Sequence, residues 1–303
     1  MPQVEAMAEA VSRCVHCGFC LATCPTYQVL GEEMDSPRGR IVLMKEVLEG
    51  GLALDEALPH IDPCLGCVAC ETSCPSGVAY GELVTPFRWW SEETRARATV
   101  KGRLRRLRRR TLLRVLASPR LVGPALRLGG WTRPLRRLLP QRLSTALALL
   151  PPPAQAPQPA PEHVAPQGER RARVALLRGC VQEAMRPEIH RATLAVLAHN
   201  GVEVLVPRGQ RCCGALALHA GEADLGRARA REILEGFPLD EVDAVLTHAA
   251  GCGSGMADYP ALFRGRPEEE RARQLASKVR DVSSFLAELG LVGSLRLEHA
   301  QRV

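Results

Sequence analysis

Apolar positions change their period along the chain, and each period predicts a different element. Over residues 3–12, Val4, Met7, Ala8 and Val11 recur at helical spacing and predict a short amphipathic helix. Ser36-Pro37-Arg38-Gly39-Arg40 opens another. Ser36 suits the cap, Pro37 suits the first turn, and Gly50-Gly51 ends the helix after about Glu49. A short helix follows at about 54–59, and one at 82–97 is expected to place Trp89 and Trp90 in the core. From residue 173 the pattern changes to short apolar runs of the buried-strand kind at 174–177, 202–206 and 243–247. Between them, 187–199 has helical spacing through Ile189, Leu194, Val196 and Leu197, closed by Asn200-Gly201, and 222–235 is also helical. This β-α-β-α-β order predicts a doubly wound parallel sheet, and residues 267–289 read as a largely helical tail.

Between these regions the composition shifts. A chain of 303 residues with 46 % hydrophobic content suits two soluble domains, each with its own core. The net charge of +7 hides an asymmetry: sixteen Lys or Arg lie between Arg95 and Arg142, with no acid from Thr94 to Pro161. Without those sixteen the +7 becomes −9, so an acidic protein carries one basic insert. Leucines at helical spacing run through the arginines, and PPPAQAPQPAPEHVAPQ reads as a proline-rich, extended tether. The expected organisation is a helical domain over 1–97, a basic amphipathic segment and linker over 98–172, and an α/β domain over 173–303.

The chemistry lies in twelve cysteines. Eight form two copies of C-x2-C-x2-C-x3-C-P: Cys14, Cys17, Cys20, Cys24 before Pro25, and Cys64, Cys67, Cys70, Cys74 before Pro75. This is the two-cluster ferredoxin spacing, in which the fourth cysteine of each run reaches the other run's cluster. It assigns Cys14, Cys17, Cys20 and Cys74 to one [4Fe-4S] cluster and Cys64, Cys67, Cys70 and Cys24 to the other. Each proline turns the chain away after the last ligand. Zinc sites favour pairs of cysteines, and disulfides suit short secreted chains. The N-terminal residues lack the pattern of a secretory signal, and no apolar run reaches the roughly 18 residues of a membrane span. Helices between the runs, with no strand hairpin, predict an α-helical ferredoxin-type domain.

The other four cysteines follow the expected strands: Cys180 the first, Cys212 and Cys213 the second, Cys252 the third. Open α/β sheets gather their sites at that edge, so a third metal or redox centre is expected there. Gly179, Gly214, Gly251 and Gly253 give the backbone room, and Gly251 to Gly255 reads as a ligand loop. The pattern C-x31-CCG-x37-C resembles the cysteine-rich CCG domain of heterodisulfide reductases and of 2-hydroxyacid dehydrogenase iron–sulfur subunits. With CVHCGFCLATCPTYQVLGEEMDSPRGRI, CLGCVACETSCPSGV, RGCVQ and RCCGALALHAGE, the chain resembles the iron–sulfur subunits of glycolate oxidase (glycolate dehydrogenase). Two departures stand out. Where the CCG pattern often ends C-x2-C, Gly255 occupies the last position, and the second CCG repeat usual in the family is expected to be missing.

The resemblance implies an α+β multidomain electron carrier. Its helical domain holds two [4Fe-4S] clusters and its α/β parallel-sheet CCG domain holds a possible further iron–sulfur centre. Separate flavin subunits would oxidise glycolate to glyoxylate, and this chain would pass the electrons toward a quinone-type acceptor, in the cytoplasm or at the inner face of the cytoplasmic membrane. No flavin or nicotinamide fingerprint and no catalytic residue is evident in the chain itself. His16 is a candidate for tuning the first cluster. His219 and His248 are weaker ligand candidates at the strand edge. Arg38 and Arg40 are candidates for partner binding or for pairing with acids near the clusters. The basic stretch 95–142 suits acidic partner subunits or an anionic membrane surface. Two alternatives stay open. One is the iron–sulfur subunit of an anaerobic glycerol-3-phosphate or lactate dehydrogenase. The other is a metal-stapled nucleic-acid-binding protein, for which no recognition motif accompanies the arginines.

Overall fold

A computed structural model describes residues 2–118, 121–124, 140–148 and 161–292. The chain divides into two compact units, Met1–Arg109 with Leu216–Ala223, and Arg110–Ala215 with Asp224–Val303.

The first unit is helical. Its elements are α1 (Pro2–Ser12), α2 (Pro25–Leu30), α3 (Pro37–Glu49), α4 (Leu54–Ile61), the single turn α5 (Ala69–Thr72), α6 (Tyr80–Ala98) and the first part of α7 (Val100–Leu116). Starts and stops follow local chemistry. Pro25 and Pro37 occupy first helical positions. Ser36 Oγ accepts the Gly39 N–H at 2.9 Å, while Gly31 and Gly50 end α2 and α3 in the left-handed conformation. Met7, Ile41, Met44, Ile61, Leu83, Val84 and Phe87 form the core, and Cys14, Cys20, Cys64 and Cys74 pack on its edge. The helices expected between and after the cysteine runs are present, α6 beginning at Tyr80. Trp89 and Trp90 are not core residues. Phe87 is fully buried, but Trp90 is exposed and rests on the Phe87 ring with centroids 5.4 Å apart. Trp89 is half-buried and donates through Nε1 to the Leu218 carbonyl.

The second unit is a five-stranded sheet in the order β1-β3-β2-β4-β5. The strands are β1 (His163–Val164), β2 (Ala172–Leu176), β3 (Val202–Leu205), β4 (Ala244–Thr247) and β5 (Val279–Asp281). β2 pairs in parallel with β3 and β4, and β4 with β5, whereas β1 runs antiparallel to β3. The sheet is therefore mixed, not wholly parallel. The three expected strands occupy its centre and form near-continuous apolar runs, β4 being buried throughout. α9 (Cys180–Met185), α10 (Pro187–His199), α11 (Ala215–His219), α12 (Ala223–Gly236), α13 (Ala250–Ala257), α14 (Tyr259–Leu262), α15 (Glu269–Lys278) and α16 (Val282–Leu289) complete the described fold. Two pieces of the region read as basic segment and linker are regular: α7, and β1 on the sheet edge. A further helix, α8, spans Gln141–Ala148. The proline-rich stretch 151–160 lies outside the described residues.

The α3 start yields a stability test. Replacing Ser36 by Ala removes one cap bond, worth about 1 kcal/mol. At Gly39 a Cβ would sit 2.1 Å from the Glu33 carbonyl oxygen, a clash with backbone. Ser36→Ala is expected to lower the urea midpoint of the protein modestly, and Gly39→Ala to lower it more.

Candidate metal centres

The two cysteine runs share a backbone course. Among the described residues, the non-glycine positions with positive φ are His16 (54°) and Val68 (48°). Each lies next to the second cysteine of its run. Their counterparts in the other run, Gly66 (66°) and Gly18 (86°), have the same handedness. A β-branched residue in this region is costly, and backbone strain of this kind persists where surrounding structure imposes it. The winding wraps each loop around its own sulfurs. Gly66 N–H points at Cys64 Sγ and Val78 N–H at Cys74 Sγ, each at 3.4 Å.

One cavity is lined by Cys14, Cys17 and Cys20 of the first run together with Cys74 and Cys70 of the second, beside Ile41, Val78 and Tyr80. The fourth cysteine of the second run thus faces the first run's three. On the other side Cys24 is buried in a different setting, with Thr26 Oγ1 3.2 Å from its sulfur and Arg40 Nη1 at 3.8 Å. Burial pushes the Cys20 thiol up and carries Cys70 to about 12, where the nearby Cys64, Glu71 and Cys20 add to it. Burial also opposes ionisation of Cys24, but the Thr26 hydroxyl, the Tyr27 and Thr26 backbone and the Arg40 charge outweigh it and bring that thiol below its ordinary value. Tyr80, fully enclosed, directs its hydroxyl at Cys64 Sγ from 3.7 Å.

Arg40 and Arg88 brace the second run from behind. Arg88, 8 % exposed, donates to the carbonyls of Ile61, Asp62, Cys64 and His219. His219 lies against the same loop: a Cβ on Gly66 would come 3.2 Å from its Nδ1. His16, the suggested tuning residue, is exposed, and its carbonyl accepts from Arg38 Nη1 at 2.9 Å. Arg38 also pairs with Glu33 at 2.7 Å, and Arg40 with Asp35 at 3.5 Å, so both arginines pair with acids. Thr26, Tyr80 and Arg88 gave no signal in the sequence, since none belongs to a recognisable spacing.

In the second unit the four remaining thiols interact in a chain: Cys180 with Cys212, Cys212 with Cys213, and Cys213 with Cys252. The neighbouring Cys180 and Cys213 thiols bring Cys212 well below its ordinary value, against the cost of burial. Cys252 is lowered by its bond with Cys213, while Cys180 and Cys213 are pushed up by the bonds they donate and by burial. Such a set contains thiolate character in an enclosed space, which suits a cation-rich group. The geometry differs from the sequence expectation in one detail. Cys252 lies in the first turn of α13, so Gly251 to Gly255 is helix and not loop. Gly255 is closed to any side chain, because a Cβ there would meet Ala215 Cβ at 2.5 Å. Four thiols are therefore the donor set at this edge. Among the described residues no three His, Cys, Asp or Glu side chains close around one point in the geometry of a bound ion, so convergence and donor chemistry carry the reading.

His248 is not part of that thiol chain. It faces His190 of α10, Nε2 to Nδ1 at 3.5 Å, a pairing the sequence did not suggest. The outer nitrogens, His190 Nε2 and His248 Nδ1, are buried without partners.

The basic segment is partly structural. Arg105 and Arg109 pair with Glu92, and Arg106 with Glu222, both acids being buried. On the outward side Val100, Leu104, Leu107 and Leu112 are exposed, interleaved with exposed Lys101, Arg103, Arg108 and Arg114. Among the described residues no helix is long and apolar enough to cross a membrane.

Comparison with known proteins agrees with this geometry. Residues 10–78 match the 4Fe-4S dicluster domain family, and residues 174–257 match the family described as Cysteine-rich domain. The probable glycolate oxidase iron-sulfur subunit of Bacillus subtilis is 37 % identical over 289 residues, covering 91 % of this chain and 65 % of the relative. The glycolate oxidase iron-sulfur subunit of Escherichia coli is 36 % identical over 286 residues, covering 93 % and 67 %. The chain belongs to the glycolate oxidase iron–sulfur subunit family. It spans about two thirds of the length of these relatives. A shorter likeness links this family member to the lactate utilization protein A of Geobacillus thermodenitrificans, 31 % identical over 127 residues, covering 42 % of the chain and 50 % of the relative. No solved structure matches. As an iron–sulfur family the assignment agrees with the thiol sets, and the zinc and disulfide readings fall away.

The histidine pair gives a pH test. Burial, then the His248 and Arg178 neighbours, hold His190 down to about 4, below its ordinary 6.5. Above pH 6.5 both folded and unfolded states carry it neutral. As pH falls from 6.5 toward 4 only the unfolded state takes the proton, so stability declines by up to roughly 3 kcal/mol. His190→Gln is expected to flatten that part of the stability–pH curve, measured by urea unfolding between pH 7 and 4.

Proposed function

We propose that this chain is the electron-transfer subunit of a glycolate-oxidising complex, carrying two [4Fe-4S] clusters between a flavin-containing partner and a quinone-type acceptor. The observation that carries the reading is the shared cavity in which Cys74 meets Cys14, Cys17 and Cys20. In this reading those four hold one cluster, and Cys64, Cys67, Cys70 and Cys24 hold the other. Cys180, Cys212, Cys213 and Cys252 hold a third centre. Each cluster, when bound, supplies one-electron chemistry at a potential set by its surroundings.

The chain's own residues supply placement and environment. The wound loops at His16 and Val68 wrap the chain around each run's cysteines. The N–H groups of Gly66 and Val78, with the Tyr80 hydroxyl, offset negative charge on Cys64 and Cys74. Ile41, Val78 and Tyr80 wall the first cavity and limit water, which protects clusters and shortens the path for an electron. The oxidation of glycolate belongs to partner subunits. The outward face of α7 suits docking on an anionic membrane surface near quinone, because exposed leucines there are flanked by cations. In this reading the protein works in the cytoplasm, peripheral to the membrane. The likeness to lactate utilization protein A supports a second reading, in which the donor oxidises lactate.

The ligand crossing is tested with single serine variants of the anaerobically purified chain. Cys14→Ser and Cys74→Ser are expected to perturb the same EPR signal after dithionite reduction, and Cys24→Ser and Cys67→Ser the other, each variant losing up to about four irons. Pairing of Cys14 with Cys24 would refute the crossing. The donor is tested by assembling the chain with its flavin partners: glycolate is expected to bleach the cluster absorption faster than lactate, and the reverse order selects the lactate reading. A salt-sensitive DNA shift by protein free of iron would return the argument to nucleic-acid binding.

A further inference from the structure

The two thiol sets sit in unequal electrostatic surroundings. Arg40 is 1 % exposed. Its Nε donates to the His60 carbonyl at 2.6 Å and its Nη1 to Thr26 Oγ1 at 2.9 Å. The same Nη1 lies 3.8 Å from Cys24 Sγ, and Nη2 lies 3.5 Å from Asp35 Oδ1. The carboxylate thus engages one end of the guanidinium and the sulfur faces the other. Arg88 adds a second buried guanidinium, on the Cys64 carbonyl of the same set. The set of Cys14, Cys17, Cys20 and Cys74 has no such neighbour among the described residues that is buried. Arg38 lines that set's cavity and donates to the His16 carbonyl, but it is 29 % exposed and matched by Glu33 at 2.7 Å. Partly exposed to water and closely paired, its charge is screened more than that of Arg40, which is enclosed in a low-dielectric interior.

We infer that Arg40 is a positioning residue that makes the cluster held by Cys24, Cys64, Cys67 and Cys70 the higher-potential member of the pair. The inference rests on the crossed ligand assignment above. Reduction adds one electron to the cluster, taken from a reduced flavin or from dithionite, and no bond forms or breaks. The added negative charge is spread partly onto the ligand sulfurs. A fixed cation at Cys24 therefore stabilises the reduced form more than the oxidised one, which raises the potential. Thr26 extends the effect: its hydroxyl lies between the Cys24 sulfur and the Asp35 carbonyl, 3.2 and 3.0 Å away, and accepts from Arg40. The electron consequently rests on this cluster when only one of the two is reduced, and the cluster of the first run is the harder one to reduce.

The test is a redox titration of the full chain followed by EPR, with Cys24→Ser and Cys74→Ser identifying which signal belongs to which set. In the parent protein the signal altered by Cys24→Ser is expected to appear at the higher potential. Arg40→Gln is expected to lower that midpoint. At a fixed potential the reduced-to-oxidised ratio of that cluster falls at least tenfold, about 59 mV for one electron, and the other signal stays in place. Arg40→Lys, which keeps the charge, restores most of the shift. Asp35→Asn keeps Arg40 and removes its counter-charge, so it moves the same midpoint upward and serves if Arg40→Gln does not load. A midpoint unmoved by Arg40→Gln and by Asp35→Asn overturns the inference, as does a Cys24-linked signal at the lower potential. If both serine variants alter the same signal, the ligand crossing itself fails and the inference falls with it.

Discussion

A fully enclosed guanidinium must satisfy its donors without water, and Arg40 does so by tying three separate segments together. It binds Thr26 after the first cysteine run, Asp35 before α3, and the His60 carbonyl at the end of α4. Those contacts fix the surroundings of Cys24 at the end of its run. The α3 helix that carries Arg40 is held by the Ser36 cap and by the close approach of Gly39 to the Glu33 carbonyl. Arg88 performs the same service from α6, gathering the carbonyls of Ile61, Asp62 and Cys64. Removing one partner from such a buried network leaves a charge or donor stranded, which costs far more than the contact contributes when intact. The ligand loops are therefore supported by helices that contain no ligand.

The second unit solves the same problem differently. Its parallel central strands end together, so short connections bring Cys180, Cys212, Cys213 and Cys252 to one edge, where the Arg229 charge helps to hold Cys212 low. The thiols act on one another electrostatically, and Gly214 N–H points at Cys212 Sγ from 3.4 Å. Behind them Tyr259, fully buried, donates to the Cys213 carbonyl, fixing the Cys-Cys turn. Helix α13 brings Cys252 in on its first turn, and the contact of Gly255 with Ala215 sets how closely that helix approaches. Gly255 there is a packing requirement, part of a helix and not of a ligand loop.

What could be read from the sequence was what depends on short-range pattern. The cysteine spacings, the Ser36-Pro37 helix start, the Gly50 stop and the three apolar strands all follow from a few adjacent residues. The misses depend on distant partners. β1 is two residues long and exists because Val164 pairs with Val204. β5, three residues long, is hidden within a helical stretch and pairs with β4. Trp90 looked like core by type, yet α6 turns Phe87 and Arg88 inward, and the inward arginine is tolerated only because four carbonyls await it. The His190–His248 pair joins residues 58 positions apart, beyond any local signal.

The basic insert shows why a charge count is a poor guide to a binding face. Read as a run, the arginines of α7 are one cationic surface. In the fold they divide by helical phase. Arg105, Arg106 and Arg109 turn toward Glu92 and Glu222, two carboxyl groups with almost no exposure, and pair with them inside the protein. Lys101, Arg103, Arg108 and Arg114 face outward among exposed leucines. A helix pinned on one side by buried ion pairs cannot roll to hide its apolar stripe, so its outer face keeps one fixed orientation. Fixed orientation is what a docking surface needs, and it is what the proposed membrane contact of α7 would use.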